Sequence, residues 1–212
     1  MRNDIAAIRK DYKLQSLLET DAKSNPFEQF AHWWQQAVDS DIDEVNAMYV
    51  STVDEEGYPH GRIVLLKSFD EQGFVFFTNY QSNKGHQISV TPKASITFFW
   101  KELERQVRLV GTLEKISEQE SDIYFNSRPI GSQIGAWSSP QSKAIPNREI
   151  LTANEAFYTA KFGNQVPRPP HWGGYHLTPK SFEFWQGRSN RLHDRLYYTP
   201  QEAGWQITRL AP

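Results

Sequence analysis

Between Ala47 and Trp100 the chain breaks into short apolar runs separated by glycine-bearing turns, and few folds accept that rhythm. Ala47-Met48-Tyr49-Val50-Ser51-Thr52-Val53 leads into Asp54-Glu55-Glu56-Gly57. Arg62-Ile63-Val64-Leu65-Leu66-Lys67 is followed by Asp70-Glu71-Gln72-Gly73, and then by Phe74-Val75-Phe76-Phe77-Thr78. Strands of this length and spacing predict an antiparallel meander and a mainly β protein. More strands are expected over 94–100, 106–114, 175–177 and 182–185, with a closing hairpin over 191–198 and 205–210. In 106–114 the alternation sets Val107, Leu109 and Leu113 inward and Gln106, Arg108 and Thr112 on the other face. The 62–67 run is apolar without alternation, so both faces are expected to be covered, as in a barrel or at a subunit interface. Its end charges, Arg62 and Lys67, fall on opposite faces; a covered strand rarely ends in unpaired charges, because burying them is costly, and the plain alternative is solvent at the strand ends.

Helices are expected around these strands. From Pro26, apolar residues recur at helical spacing (Phe27, Phe30, Ala31, Trp34, Ala37, Val38), with Asn25 and Pro26 as start signals. Ser82 reads as the N-cap of a short helix through Val90, ended by Pro92. Two more helices are expected over 118–126, stopped by Arg128-Pro129, and over 148–162, with a polar loop from Trp137 to Lys143 between them. Residues 166–174 read as a rigid connector. Residues 1–25 form a polar, mobile N-terminal arm in which Ile8-Arg9-Lys10-Asp11-Tyr12 can turn as a short helix, and 26–212 read as one domain.

Chemistry concentrates at Trp185-Gln186-Gly187-Arg188-Ser189-Asn190-Arg191-Leu192-His193-Asp194-Arg195. Read as strand, turn and strand, it sets Arg191, His193 and Arg195 on one face and Leu192, Asp194 and Leu196 on the other. Two guanidiniums and an imidazole so placed repel one another unless an anion sits among them. They form either a solvated basic strand edge or a site for an anionic small molecule walled by Trp185. Two further stretches suit phosphate: the helix start Ser82-Asn83-Lys84, and Tyr124 and Arg128 at i and i+4 with Ser132 beyond. Helix starts of the first kind are common, so it is a weak signal alone.

Composition narrows the partners. With 23 basic and 25 acidic residues the net charge is −2, so no overall field favours nucleic acid or membrane. The chain has no cysteine, which removes thiolate metal sites and a cysteine nucleophile, and its six histidines lack metal-ligand spacing, so no metal is expected. The 7 Trp, 9 Tyr and 13 Phe suit a flat-ring ligand and, for most of them, an ordinary core. The first residues carry no apolar run, no membrane-length segment occurs, and a cytoplasmic location is the default. Nucleotide-fold glycine motifs and the zinc-protease and serine-hydrolase motifs are absent.

Taken in register, Arg62-Ile63-Val64-Leu65-Leu66-Lys67, Ser82-Asn83-Lys84-Gly85, Glu104-Arg105-Gln106-Val107, Tyr124-Phe125-Asn126-Ser127-Arg128-Pro129, Ser132-Gln133-Ile134-Gly135, Trp172-Gly173-Gly174, Phe184-Trp185-Gln186-Gly187 and Arg191-Leu192-His193-Asp194-Arg195 resemble the pyridoxamine 5'-phosphate oxidases, from Ile8 to Pro212. The resemblance implies an FMN-binding split β-barrel, a homodimer whose two subunits both contribute to each site. It implies oxidation of pyridoxamine 5'-phosphate or pyridoxine 5'-phosphate to pyridoxal 5'-phosphate, with O2 as acceptor and peroxide as product. A split barrel that only carries or senses FMN or pyridoxal phosphate is the alternative; it has no use for Tyr124, Arg128, Arg191 and His193 together.

By resemblance the FMN residues are Arg62, Ile63, Val64, Leu65, Leu66, Lys67, Phe77, Thr78, Asn83, Lys84, Gln106, Gln141, Ser142, Trp185 and Arg195. The substrate residues are Arg9, Lys10, Asp11, Tyr12, Lys67, Tyr124, Arg128, Ser132, Arg191, Leu192 and His193, the first four as a lid. Arg191 and His193 are the catalytic candidates, clamping the substrate ring and assisting proton removal. At Asn83 the family commonly has arginine; this chain replaces a charged fork with a neutral donor.

Overall fold

The computed structural model describes residues Ile5–Ala7 and 10–212. Ile5–Ala7 forms a single 3₁₀ turn. Of the helix expected at 8–12, Ile8 and Arg9 lie outside the described residues, and 10–12 are irregular. The lid role of Arg9 lies outside them too.

Strands β1 (Ala47–Val53), β2 (Pro59–Leu65), β3 (Ser68–Phe69), β4 (Phe74–Asn79), β5 (Lys93–Trp100), β6 (Arg105–Lys115), β7 (Trp172–Gln186), β8 (Asp194–Pro200) and β9 (Trp205–Arg209) alternate with helices α1 (Pro26–Asp39), α2 (Asn83–Val90), α3 (Glu118–Ser127), α4 (Ile130–Ser138) and α5 (Glu149–Phe162). The mainly β class is as expected, but the simple meander is not. The strand order is β2-β1-β5-β6-β7-β4-β3, with β8 on β7 and β9 on β8. Sequential neighbours pair at β1–β2, β3–β4, β5–β6, β7–β8 and β8–β9, while β4 also pairs antiparallel with β7 far along the chain. Helix α2 separates β4 from β5, and α3–α5 separate β6 from β7, so neither pair is tied by a tight turn.

Two compact units divide the chain, and β1, β5, β6 and β7 each run through the division. One unit comprises residues 1–49, 95–110 and 179–212. Its core is aromatic: Trp33 of α1 meets Phe184 edge-on at 5.3 Å, and Phe27 meets Phe182 at 5.1 Å. Helix α1 starts where Asn25 accepts a hydrogen bond from the Phe27 N–H at 2.9 Å. It buries Trp33, whereas Trp34 is only half-buried and Ala31 and Val38 are exposed, so its inward stripe is turned from the one expected. Met48 of β1 is 1% exposed.

The other unit comprises 50–94 and 111–178. Its core gathers Phe125, Ile134, Ala136, Val166 and Trp172, with Phe77 and Tyr124 packed against it. Helix α4 occupies part of the stretch expected as loop, and Trp172 opens β7 rather than sitting in a connector. Strand β2, expected to be covered on both faces, stands at the end of the strand order, and Ile63 is 62% exposed in the single chain. Of the two expected explanations, the single chain does not supply the cover.

Candidate active site

In the second unit, β2, β4, α2 and the turn from α3 into α4 enclose a pocket of about 480 Å³. Ile63, Val64, Leu65 and Lys67 line it from β2 and its exit, Phe77, Thr78 and Asn79 from β4, and Lys84 from α2. Tyr124, Arg128, Pro129, Ser132, Gln141 and Trp172 complete it. Helix α2 is fixed at its start by Ser82, whose Oγ accepts from the Gly85 N–H at 3.4 Å. Gly85 must be glycine, because a Cβ there would stand 2.0 Å from the Tyr80 carbonyl oxygen. The helix therefore begins hard against β4 and drives Lys84 inward.

Lys84 is 7% exposed and donates from Nζ to Thr78 Oγ1 at 3.1 Å. Burial, and then the Arg62 guanidinium, push its pKa down to about 8. Arg62 donates to Thr52 Oγ1 at 2.6 Å and to Gln87 Oε1 at 3.2 Å. Lys84 thus brings a buried cation to the pocket wall, which suits an anion.

At the α3–α4 turn Arg128 leaves helical geometry, its carbonyl accepting from Gln133 Nε2 at 2.8 Å. Its guanidinium lies 4.5 Å from the Trp172 ring centre, and burial lowers its pKa. Arg128 Nη1 is buried without a hydrogen-bond partner. A charged donor held dry and unsatisfied is costly unless a ligand completes it. Beside it, Tyr124 stacks on Phe77 at 3.9 Å, and Lys67 Nζ stands 6.0 Å from the Tyr124 ring. Ser132 sits in the first turn of α4, which begins without a side-chain cap. Lys67, Tyr124, Arg128 and Ser132 thus line one pocket, and they are donor types that suit an oxyanion.

Other residues expected at this site are placed as follows. Leu66 is buried in the core, Ser142 is exposed with φ 68°, and neither is among the pocket walls above. Asn83 faces a separate pocket of about 280 Å³ with Asp54, Glu55, Glu56 and His86. Asn79, Pro129 and Trp172 line the main pocket without having been anticipated; only the aromatic character of Trp172 hinted at a wall.

Gln106, Trp185, Arg191, His193 and Arg195 lie in the first unit. Trp185 of β7 and Arg195 of β8 are cross-strand partners. The alternation expected from Arg191 onward does not hold, because β8 starts only at Asp194. Asn190 and Arg191 both adopt positive φ, 57° and 62°, which ends extended geometry. Arg191 and Leu192 are exposed, while His193 packs on Trp185 with ring centres 4.6 Å apart. Tyr12 stands 5.7 Å from Trp185 and 5.9 Å from His193. Lys10 and Asp11 flank it, Asp11 pairing with Lys13 at 2.8 Å.

His193 Nδ1 accepts the Arg188 backbone N–H at 3.1 Å. A neutral ring then carries its proton on Nε2 and presents a donor there. Burial, and then the Arg191 charge, lower its pKa against the opposing pull of Asp194. Arg195 donates from Nε to Glu183 Oε1 at 2.8 Å and from Nη1 to the Ala211 carbonyl at 2.8 Å. Glu183 and Glu104, both buried carboxylates of this unit, were not anticipated as site residues. Glu104 stood in a motif noted only for Gln106. No described cluster of His, Asp and Glu could hold a metal ion, and no described helix is long and apolar enough to cross a membrane.

Residues 34–156 match the family model "Pyridoxamine 5'-phosphate oxidase", and residues 172–212 match "Pyridoxine 5'-phosphate oxidase C-terminal dimerisation region". The chain is 56% identical over 209 residues to a protein of Paraburkholderia phymatum named pyridoxine/pyridoxamine 5'-phosphate oxidase, covering 98% of this chain and 99% of that one. It is 54% identical over 209 residues to pyridoxine/pyridoxamine 5'-phosphate oxidase 1 of Ralstonia nicotianae, at the same coverage. Among solved structures it resembles PhzG from Burkholderia lata in complex with tetrahydrophenazine-1-carboxylic acid, at TM-score 0.88 and 31% identity, covering 94% of this chain and 99% of that one.

Proposed function

The chain belongs to the pyridoxamine 5'-phosphate oxidase family, and from that premise we propose that it oxidises pyridoxamine 5'-phosphate and pyridoxine 5'-phosphate to pyridoxal 5'-phosphate, using FMN and O2. The observation that carries this reading is Arg128, a half-buried guanidinium whose Nη1 is buried without a partner, in a pocket that Lys84 and Lys67 also line. Two cationic points in one pocket suit two phosphates, one on the cofactor and one on the substrate.

FMN fits the donor set. Lys84 and Arg62 would hold its phosphate, with the Thr78 hydroxyl beside them, and Gln141, Phe77 and the β2 residues would wall the flavin. Bound FMN would supply a two-electron acceptor for a hydride from the substrate's C4', with O2 as the final acceptor and H2O2 as the product. Lys67, Tyr124, Arg128 and Ser132 would bind the substrate phosphate. Tyr124 is already immobilised by its stack on Phe77, so little ordering remains to oppose binding.

Arg191 would neutralise and orient the substrate ring. His193, neutral near pH 7 and protonated on Nε2, would donate a hydrogen bond to the substrate rather than take a proton there. For the amine, water then releases ammonia and leaves the aldehyde. In this reading the protein is a homodimer, and the Trp185–His193 turn of one copy completes the phosphate pocket of the other. The purified protein should be yellow, and it should consume oxygen when given pyridoxamine 5'-phosphate. A colourless preparation that neither binds added FMN nor consumes oxygen would overturn the proposal.

A further inference from the structure

We propose that Glu104 is a positioning residue for the substrate side of the site, its carboxylate fastening residues 10–14 so that Tyr12 stays against Trp185 and His193. The inference rests on the function proposed above for the roles of those three residues, but the fastening itself is independent of it.

Glu104 sits in the turn before β6 with φ 56°, and it is 2% exposed. Its Oε2 accepts from the Lys13 N–H at 2.8 Å and the Leu14 N–H at 3.1 Å, while Lys10 Nζ lies 3.1 Å from Oε1. Its main-chain carbonyl accepts from the Gly187 N–H at 2.7 Å and from Gln186 Nε2 at 3.2 Å. One residue thus binds the arm through its side chain and the His193-bearing turn through its backbone.

The two partners are fitted to each other. Gly187 has no Cβ, and one placed there would stand 2.7 Å from the Tyr12 ring. Ser189 Oγ donates to the Tyr12 carbonyl at 3.2 Å, and the neighbouring Arg105 donates to Gln15 Oε1. Two successive backbone N–H groups and an ammonium converge on Glu104, and only a carboxylate accepts from all three. Glutamine would set its own N–H₂ against one of them.

The test compares the FMN-loaded wild type with Glu104→Gln and Glu104→Ala, and with Glu102→Gln on the same turn as a control. Hydrogen exchange at the Lys13 and Leu14 amides reads the fastening directly, and amides of β5 and β6 report whether the variant is folded. Both Glu104 variants should exchange faster at Lys13 and Leu14 with the strand amides unchanged. KM for pyridoxamine 5'-phosphate should rise about 10-fold or more, on the scale of a lost charge-assisted contact, and FMN affinity and the control should not change. Unaltered exchange at Lys13 and Leu14, or released amides with an unaltered KM, would overturn the proposal. So would a joint loss of strand protection, FMN affinity and activity, which marks a merely structural role. If the wild type consumes no oxygen, the functional reading fails, and the exchange data alone still decide the fastening.

Discussion

Lys84 carries its charge with a threonine hydroxyl for a partner and Arg62 as a like-charged neighbour. Its pKa of about 8 lies below the ordinary 10.5. Between those values the unfolded chain keeps a proton that the folded protein has released, so stability rises with pH across that window. Below about 8 the penalty of holding the charge dry is fully present. A bound phosphate reverses the preference, because an anion favours the protonated amine. FMN binding should therefore weaken as pH is raised from about 7 to about 9, with proton uptake on binding near its middle. Flavin fluorescence titrations along that series check it, and Lys84→Ala should flatten the trend. The same variant should bind FMN poorly yet recover turnover when FMN is saturating. Arg191→Ala should keep its flavin and lose about 10–150-fold in kcat/KM, the range of a charge-assisted hydrogen bond of roughly 1.5–3 kcal/mol. If Arg191→Ala instead sheds flavin and keeps normal activity per bound FMN, Arg191 belongs to the cofactor.

At the scale of elements, stop and start signals made much of the fold readable. Asn25 and Ser82 cap the helices they were expected to cap, and Asn25→Ala should cost about 1 kcal/mol. For a chain of this size that lowers Tm by roughly 2–4 °C, measurable by calorimetry. Helix α4 was not legible, since Pro129, Gly131, Ser132 and Gly135 argue against a helix locally. Packing of Ile134 and Ala136 against Phe125 and Trp172 overrides that preference. Strand β7 runs on through Pro179, where the sequence suggested two strands. Lys84, Tyr124, Arg128 and Ser132, read from the sequence as phosphate candidates, do line one pocket. Other features depend on tertiary surroundings: that Arg128 Nη1 is dry and unpartnered, or that Arg188 fixes the tautomer of His193. Asn190 and Arg191 escaped for a backbone reason, since two successive left-handed residues are rare outside glycine.

For the whole molecule, an apolar strand at the end of the sheet order with Ile63 exposed, together with a C-terminal stretch matching a dimerisation region, leads us to expect a homodimer. Light scattering should return about twice the 24.6 kDa chain mass at assay concentrations; an active monomer would end that expectation. FMN at about 100 times its Kd should stabilise the fold by about 2.7 kcal/mol, or roughly 5–10 °C in Tm. The burial of Met48 bears on durability. Peroxide attacks sulfur readily, thiols and thioethers alike. This chain has no thiol, and its methionines are Met1 and Met48, the latter shut inside β1. If the proposed reaction releases peroxide at each turnover, the described residues would expose no sulfur to it, and working life should be set by unfolding rather than by self-oxidation.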